Sequence, residues 1–596
     1  MNASARAQAL RKEMAAAGVD VYVVPSADAH QSEYVPGAWQ RRPWISGFTG
    51  SAGDAAIGAN GAWQWADSRY WLQADAELDA DVWTAMKHGL EGVPSLTEWL
   101  AALPEGTRVG YDPRLVGVAQ AKAMEKALAD AHGKLVALDE NLVDKVWQDR
   151  PALPTTPIAA WPDEHAGKSV ADKLAGLREA MKARGATALV MTTLDEIAWA
   201  FNIRGADVAF NPVAVAYALV EADGGATLFI DPAKVTTAVE AHLAAAGARS
   251  APYDAFGAAL DKLSGGRVWI DRDSASRWVA DRLEAARAEV IAEMSPVQLA
   301  RATKNETEQR GMRAAHVRDG VAVVRFLAWL ETAWQGGELD EIAASDQLER
   351  FRAEGERFLG LSFDTISGFA GNGAIVHYRS TPKTSKIIDD SAPYLLDSGA
   401  QYLDGTTDIT RTVHLGAPTA TQKEHYTRVL RGHLQLGRAT FPKGTTGTQL
   451  DALARTPLWE VGLNYGHGTG HGVGCYLSVH QGPHRVSPAP NTVGLEPGFV
   501  LSNEPGLYLK DQYGIRIENL VVVVPRFPEK HGMGPFYGFD DLTMVPYCRK
   551  LIATDLLSDA ERAQVDAYHA RVREALAPRL DGEALAWLER ETAPLG

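Results

Sequence analysis

"YLLDSGAQYLDGTTDITRT", residues 394–412, sets Asp397 and Asp408 on either side of an Asp404-Gly405 dipeptide. Asp-Gly between two apolar-rich runs is a strong hairpin signal. A minimal turn at 404–405 pairs residue 397 with residue 412. Both aspartates then share a face, but about 13 Å apart at roughly 3.3 Å per residue. A wider loop or a bulge that shifts the register by two makes them diagonal neighbours, within about 8 Å. Only the shifted register brings two carboxylates close enough to share a metal. The plainer alternative is a pair of exposed turn aspartates, because Asp is common in turns.

Further on, "YGHGTGHGVG", residues 465–474, carries His467 and His471 four apart, with glycine at every even position. Two histidines at that spacing mark a zinc helix. Each interior glycine costs a helix about 1 kcal/mol, however, and five in nine residues exclude it. A phosphate loop fits no better, since no G-x-G-x-x-G is present and the stretch has no lysine. An extended segment remains. Its side chains alternate, so His467, Thr469, His471 and Val473 share one face. The other face is bare backbone, open to a substrate or to another strand. A glycine-rich loop with solvated histidines is the competing reading.

"FVLSNEPGLYL", residues 499–509, ends a strand at Glu504 before a Pro-Gly turn, and "YGIRIENLVVVV", residues 513–524, sets Glu518 on an apolar strand with Arg516 on its face. A buried carboxylate needs a partner of opposite charge, which Arg516 alone or a metal can supply. His377 in "GAIVHYRS" and His480 in "LSVHQGP" complete the chemically interesting residues. Singly, each is more often structural than catalytic.

The chain has 596 residues, 46% hydrophobic and 22% charged, an ordinary globular profile for two to four domains. Two cysteines, Cys475 and Cys548, make no disulfide framework and suit a reducing compartment. No apolar run reaches membrane-spanning length, and the first residues lack an apolar signal core. A cytoplasmic protein without a membrane partner is expected. The net charge of −16 repels phosphate backbones, so nucleic acid is not an expected partner either.

The first half repeats loosely. "GVDVYVVPSADAH" followed by "WISGFTGSAGDAAIGANGAWQWADSRYWLQADAEL" matches "GATALVMTTLDEIAWAFNIRG" followed by "NPVAVAYALVEADGGATLFIDPAKVTTAVEAHL" in order of helix, strand, turn and hairpin. Alternating strands and helices indicate α/β domains over residues 1–155 and 156–298, joined by the proline-rich stretch 149–162. Ser295-Pro296 then marks a boundary. Residues 299–596 form the chemical segment. It opens on a long helical pattern through Val321, Val324, Phe326, Leu327 and Leu330 and ends on a short apolar helix with Leu585, Trp587 and Leu588. That helix must dock on its own segment or on a second chain.

The order Asp397, Asp408, His471, Glu504, Glu518 resembles the metal-ligand set of the pita-bread metallopeptidases. "DSGAQYLDGTTDITRT", "HGTGHGVG", "VHQGP", "NEPGLY" and "GIRIEN" resemble the aminopeptidase P branch. "FTGSAGDAAI", "ADSRYWLQA" and "FNIRGADVAFNPV" extend the likeness to nearly the whole chain, in the long, three-domain, cytosolic type of Xaa-Pro aminopeptidase. The resemblance implies two creatinase-type domains before a pita-bread catalytic domain. It implies two divalent ions, Mn²⁺ foremost with Zn²⁺ or Co²⁺ as alternatives, which suit four carboxylates and an imidazole. Asp408 and Glu518 would bind both ions, Asp397 one, and His471 and Glu504 the other, with Glu504 also moving a proton. His377 and His480 would hydrogen-bond the substrate and the tetrahedral intermediate, and His467 would lie near the proline pocket. Tyr508 and Arg516 would orient ligands and relay protons. The glycines of 465–474 would leave room for a peptide. A homodimer acting on peptides with proline second is implied. A prolidase-type dipeptidase would use the same ligands. A metal-free creatinase relative or a peptide-binding pseudoenzyme would have lost them, and all five are present.

Overall fold

The computed structural model describes all 596 residues, in two compact units, Met1–Gln298 and Leu299–Gly596. Within the first unit the duplication is explicit. Each half carries a six-stranded mixed sheet with strand order 4-3-2-1-5-6 in its own numbering, leaving aside the short pair Ala159–Ala160 and Ile203–Arg204. The first strands, Val21–Val24 and Ala188–Met191, are buried at every position, as strands covered on both faces must be. Each lies antiparallel to its second strand and parallel to its fifth. The repeat extends to the caps. Helices Ala3–Ala17 and Val170–Arg184 begin at Asn2 and Ser169, whose side chains accept the N–H three residues on, and both end on left-handed glycines, Gly18 and Gly185.

The two halves exchange backbone bonds almost symmetrically. Val118 N–H donates to Ala275 O at 3.0 Å, and Arg277 N–H donates to Val116 O at 2.8 Å. His30 is buried at the same junction, with Nδ1 2.8 Å from Thr192 O.

In the second unit, helix Glu306–Ala333 starts on a capping box of Asn305 and Glu308. Its predicted apolar stripe buries Val324, Phe326, Leu327 and Leu330, with Val321 half-buried against the same core. Helices Ala420–Gly437 and Gly447–Trp459 pack together beside short strands in small sheets. The closing helix Gly582–Glu591 docks within its own unit. Trp587 and Leu588 join that core, Leu585 is half-buried, and Arg590 Nη2 lies 2.6 Å from Glu331 Oε2 of the long helix.

The aspartate hairpin takes the shifted register. Asp397 pairs with Thr410 and Ser398 with Ile409, so Asp408 is the diagonal neighbour of Asp397. The shift arises in the turn, not from a bulge between the aspartates. Tyr402 pairs with Gly405, which leaves Leu403 and Asp404 as the turn residues. Gly405 belongs to the strand instead, because the long helix passes over it. A Cβ there would stand 2.9 Å from Ala315 Cβ and 3.2 Å from Met312 Cα. Asp404 is buried and paired with Arg318 and Arg357. Close approach to a helix thus moves the turn by one residue and the register by two.

No helix is long and apolar enough to cross a membrane. Several histidines in this unit are buried neutral. Burial lowers His569 to about 3 and His433 to about 4, and His569 Nε2 accepts the Tyr547 N–H at 3.1 Å. Below the ordinary value of 6.5, the unfolded chain takes up protons that these folded rings refuse, so stability falls with falling pH. Each ring should remove about 1.4 kcal/mol for every pH unit within that window. Urea titrations of wild type and His569→Gln between pH 6.5 and 4 should differ in slope by about one proton. Parallel slopes would show that His569 is not held neutral.

Candidate metal centre

Strand pairing gathers residues far apart in sequence. Asp397 lies in strand Tyr394–Ser398, Asp408 at the entry to Ile409–Val413, and His471 in Gly470–His471. Glu504 follows Val500–Asn503, and Glu518 sits between Tyr513–Arg516 and Asn519–Phe527. Ligand atoms of Asp408, His471 and Glu518 all lie within 4.8 Å of one another. His471 Nε2 is 3.4 Å from both Asp408 Oδ2 and Glu504 Oε1. Asp397 joins across the hairpin diagonal.

Arg516 does not pair with Glu518. Its Nη2 donates to Asp397 Oδ2 at 2.6 Å, its Nη1 to Tyr508 Oη at 2.7 Å and its Nε to Thr410 Oγ1 at 3.1 Å. Thr410 Oγ1 in turn donates to Glu518 Oε2 at 2.8 Å. One oxygen of each buried acid, Asp397 Oδ1 and Glu518 Oε1, has no hydrogen-bond partner. Burial pushes the Asp397 carboxyl up to about 7, with Arg516 opposing and Asp408 assisting. Burial and then Asp408 hold Glu518 well above the usual carboxylate range. Burial would depress the His471 imidazole, but Asp408 and Glu504 raise it to about 9. Burial is the largest cause for the two acids, and Asp408 raises all three groups. Two orphaned carboxylate oxygens beside a histidine and two further carboxylates fit hard divalent ions.

His467 Nε2 is 2.8 Å from Tyr508 Oη, and its Nδ1 is 2.7 Å from Gly468 O. Arginine only donates, so Tyr508 accepts from Arg516 and gives its own proton to His467 Nε2. The His480 ring stands edge-on to His471 with centroids 4.3 Å apart. His377 is half-buried beyond the turn Ala370–Ala374. Two residues escaped the reading of the sequence. Thr410 joins Glu518 to Arg516, and Ser502 accepts the His471 N–H at 2.9 Å while donating to Glu504 Oε1 at 3.0 Å. Their signal was period two along a strand, which puts Ser502 on the face of Glu504 and Thr410 on that of Asp408.

Of the two occupants expected for the bare face, a substrate or another strand, Gly470 meets the strand. Only Gly470–His471 is a strand, pairing with Arg485–Val486. The bare face is filled by the protein's own chain. A Cβ on Gly470 would lie 2.0 Å from Ser502 O, one on Gly472 2.1 Å from Gln481 O, and one on Gly474 2.7 Å from Leu477 Cβ. At Gly470, Gly472 and Gly474 the chain itself leaves no space for a peptide, whereas a Cβ on Gly468 would meet nothing nearer than 3.4 Å. The glycines let flanking backbone close in, which aims His471 at the acids.

Residues 6–146 and 149–308 each match a model of the creatinase/prolidase N-terminal domain. Residues 310–525 match that of metallopeptidase family M24, and 535–595 that of the C-terminal region of peptidase M24. Probable Xaa-Pro aminopeptidase P from Fusarium vanettenii is 44% identical, covering 100% of this chain and 99% of the relative. The protein of that name from Sordaria macrospora is also 44% identical, covering 100% of both. The chain belongs to the Xaa-Pro aminopeptidase P family. The crystal structure of X-prolyl aminopeptidase from Caenorhabditis elegans, described as a cytosolic enzyme with a di-nuclear active site, matches with a TM-score of 0.95 at 34% identity over the whole of both chains. Like other Xaa-Pro aminopeptidases P, this chain is a peptidase with creatinase-type N-terminal domains and an M24 pita-bread domain. The acid–histidine cluster lies within the M24 match.

Gly470→Ala tests the packing. A methyl group cannot sit 2.0 Å from Ser502 O, so strand Val500–Asn503 must move, and Ser502 with it. Overpacking should cost about 1–3 kcal/mol of stability. Peptidase activity should drop at least tenfold, as the displaced His471 and Glu504 lose their geometry. Wild-type melting and turnover would refute this account of the glycines.

Proposed function

We propose that the protein releases the N-terminal residue from peptides with proline second, using two divalent metal ions held by Asp397, Asp408, His471, Glu504 and Glu518. The carrying observation is the excess of buried carboxylate charge with two oxygens left unpartnered. Relatives named Xaa-Pro aminopeptidase P and the di-nuclear site ascribed to the Caenorhabditis elegans enzyme support it. Asp408 and Glu518 are assigned to both ions, Asp397 to one, and His471 with Glu504 to the other. Mn²⁺ is the favoured metal, with Zn²⁺ and Co²⁺ as alternatives. When bound, such ions supply a nucleophile from water and polarise the scissile carbonyl.

The remaining roles belong to this chain's own groups. Glu504 moves the proton to the leaving prolyl nitrogen. Its side chain is 17% exposed, against 10% for Asp397 and 6% for Asp408, so it is the acid that best reaches both water and substrate. His480 and His377 donate to the substrate and to the charge that grows on the attacked oxygen. His467 lies beside the proline ring, held by Tyr508. Arg516 fixes Asp397 and Tyr508 together. Domains at 1–155, 156–298 and 299–596, a cytoplasmic location and a homodimer complete the proposal. The repeated sheets support the two N-terminal domains and the likeness to a cytosolic enzyme supports the location, while the homodimer rests on the family resemblance alone.

A prolidase must also hold a dipeptide's C-terminal carboxylate. Hydrolysis of Arg-Pro-Pro and of Gly-Pro with added Mn²⁺ separates the two. Cleavage of the tripeptide with little of the dipeptide is expected, and the reverse would favour the dipeptidase.

Asp408→Ala and Glu518→Ala should each lower turnover at least 10³-fold and lower bound metal, since each loses a ligand shared by both ions. His480→Ala should retain metal while losing most turnover. Full activity in either acid variant sinks the ligand set, and metal loss in His480→Ala would exchange the roles of His480 and His471. By light scattering, one species at twice 64.2 kDa is expected, whereas 64.2 kDa throughout the micromolar range would exclude the dimer.

A further inference from the structure

Within the segment 465–474 the side-chain bonds are short-range, Tyr465 Oη to Thr469 Oγ1 at 2.6 Å and His467 Nδ1 to Gly468 O at 2.7 Å, and they do not fix it against the rest of the fold. Glycine at alternate positions gives it the greatest backbone freedom available, and only two of its residues are in a strand. Yet His467 must stay within hydrogen-bond distance of Tyr508. The restraint comes from outside, from the neighbouring helix Gly447–Trp459. Asp451 and Arg455 stand one turn apart on it, both buried, with Arg455 Nε 2.6 Å from Asp451 Oδ2.

Every N–H of the Arg455 guanidinium is used. Nε donates to Asp451 Oδ2, and Nη2 donates to Asp451 Oδ1 at 3.2 Å and His467 O at 2.7 Å. Nη1 donates to Tyr465 O at 2.7 Å and Asn464 Oδ1 at 3.2 Å. The guanidinium also lies over the Tyr465 ring, 3.9 Å from its centroid. Asp451 Oδ1 accepts from Thr469 Oγ1 at 2.6 Å, and Thr469 O accepts the Glu504 N–H at 2.8 Å. The pair therefore grips the glycine-rich segment on both sides of Gly468. A bare structural ion pair would not need three backbone or side-chain anchors on one flexible segment.

We infer that Asp451 and Arg455 form a positioning pair for the hydrolysis, with Arg455 acting through the main chain of His467. Neither residue reaches the metal-ligating acids, and neither is a catalytic residue. From Arg455 the restraint runs through His467 to Tyr508, Arg516 and Asp397, each link a hydrogen bond of 2.6–2.8 Å. The inference rests on the proposed role of His467 in substrate binding.

Arg455→Lys keeps the charge and loses the planar fork. Its kcat/KM on Arg-Pro-Pro should fall roughly 100-fold, as displacement of a substrate-contacting group by about 1 Å does. Bound metal should be unchanged. The discriminating measurement is a cycle with His467→Ala. In that background Arg455→Lys should cost less than about threefold, because the group it positions is gone. If Arg455→Lys fails to fold, Thr469→Val, which removes the hydroxyl bonded to Asp451 and to Tyr465, enters the same cycle. Losses that multiply independently, or a loss of bound metal, overturn the positioning role. A fully active His467→Ala overturns the reading of His467 itself, which separates that failure from failure of the positioning inference.

Discussion

Four carboxylates crowd into one buried place, and most of the second unit is arranged to tolerate them. At 4 Å and an effective dielectric of 20, each like-charged pair costs roughly 4 kcal/mol. Arg516 offsets part of this by binding Asp397. Arg411 supplies a second buried positive charge, but it spends all its hydrogen bonds on neutral acceptors, among them Glu518 O at 2.6 Å and Val545 O at 2.6 Å. It fixes the chain at Glu518 without touching a carboxylate. The chain alone leaves the deficit open, which is what a site for divalent cations requires. Burial first, and then Asp408, raises Asp397 and Glu518, and Asp408 with Glu504 raises His471 against its burial.

Crowding of this kind demands rigid backbone, and the rigidity comes from close approach. Gly405 lets a helix lie against the aspartate hairpin, and Gly470 lets strand Val500–Asn503 lie against His471. Asp404-Gly405 does mark the hairpin, with the turn one residue earlier, and the alternating glycines leave a face open to a substrate or to another strand, of which Gly470 takes the strand. Local propensity describes what a glycine permits. What fills the space beside it comes from residues some ninety positions upstream or thirty downstream, and no local pattern records that.

The legible parts were those carried by period and by spacing. Alternation in 394–412 required a shifted register if the two aspartates were to meet, and Asp397 opposite Thr410 is that register. The apolar stripe from Val321 to Leu330 is a helix face, and the two halves of the first unit share sheet order and capping residues. The terminal helix left two docking partners open, and burial of Trp587 and Leu588 against the long helix chooses its own unit. Networks were the illegible part. Thr410, Ser502, Asp451 and Arg455 are ordinary residues whose importance lies in what they touch, and each touches a group from a distant strand or turn.

The first unit shows why its own chemistry is quiet. Open α/β sheets bind ligands beyond the carboxyl ends of their central strands. Here each half offers such an end, after strands one and five, and the other half occupies it. Asp28 to His30 and Pro113 to Val118 of the first half meet Thr192 and the stretch from Ser274 to Trp278 of the second. His30 is buried, held between Thr192 O and Tyr253 Oη with its ring tilted against Tyr217. Duplication has turned two potential binding ends into one packed interface. The acid–histidine cluster lies instead in residues 299–596, where no such interface fills it.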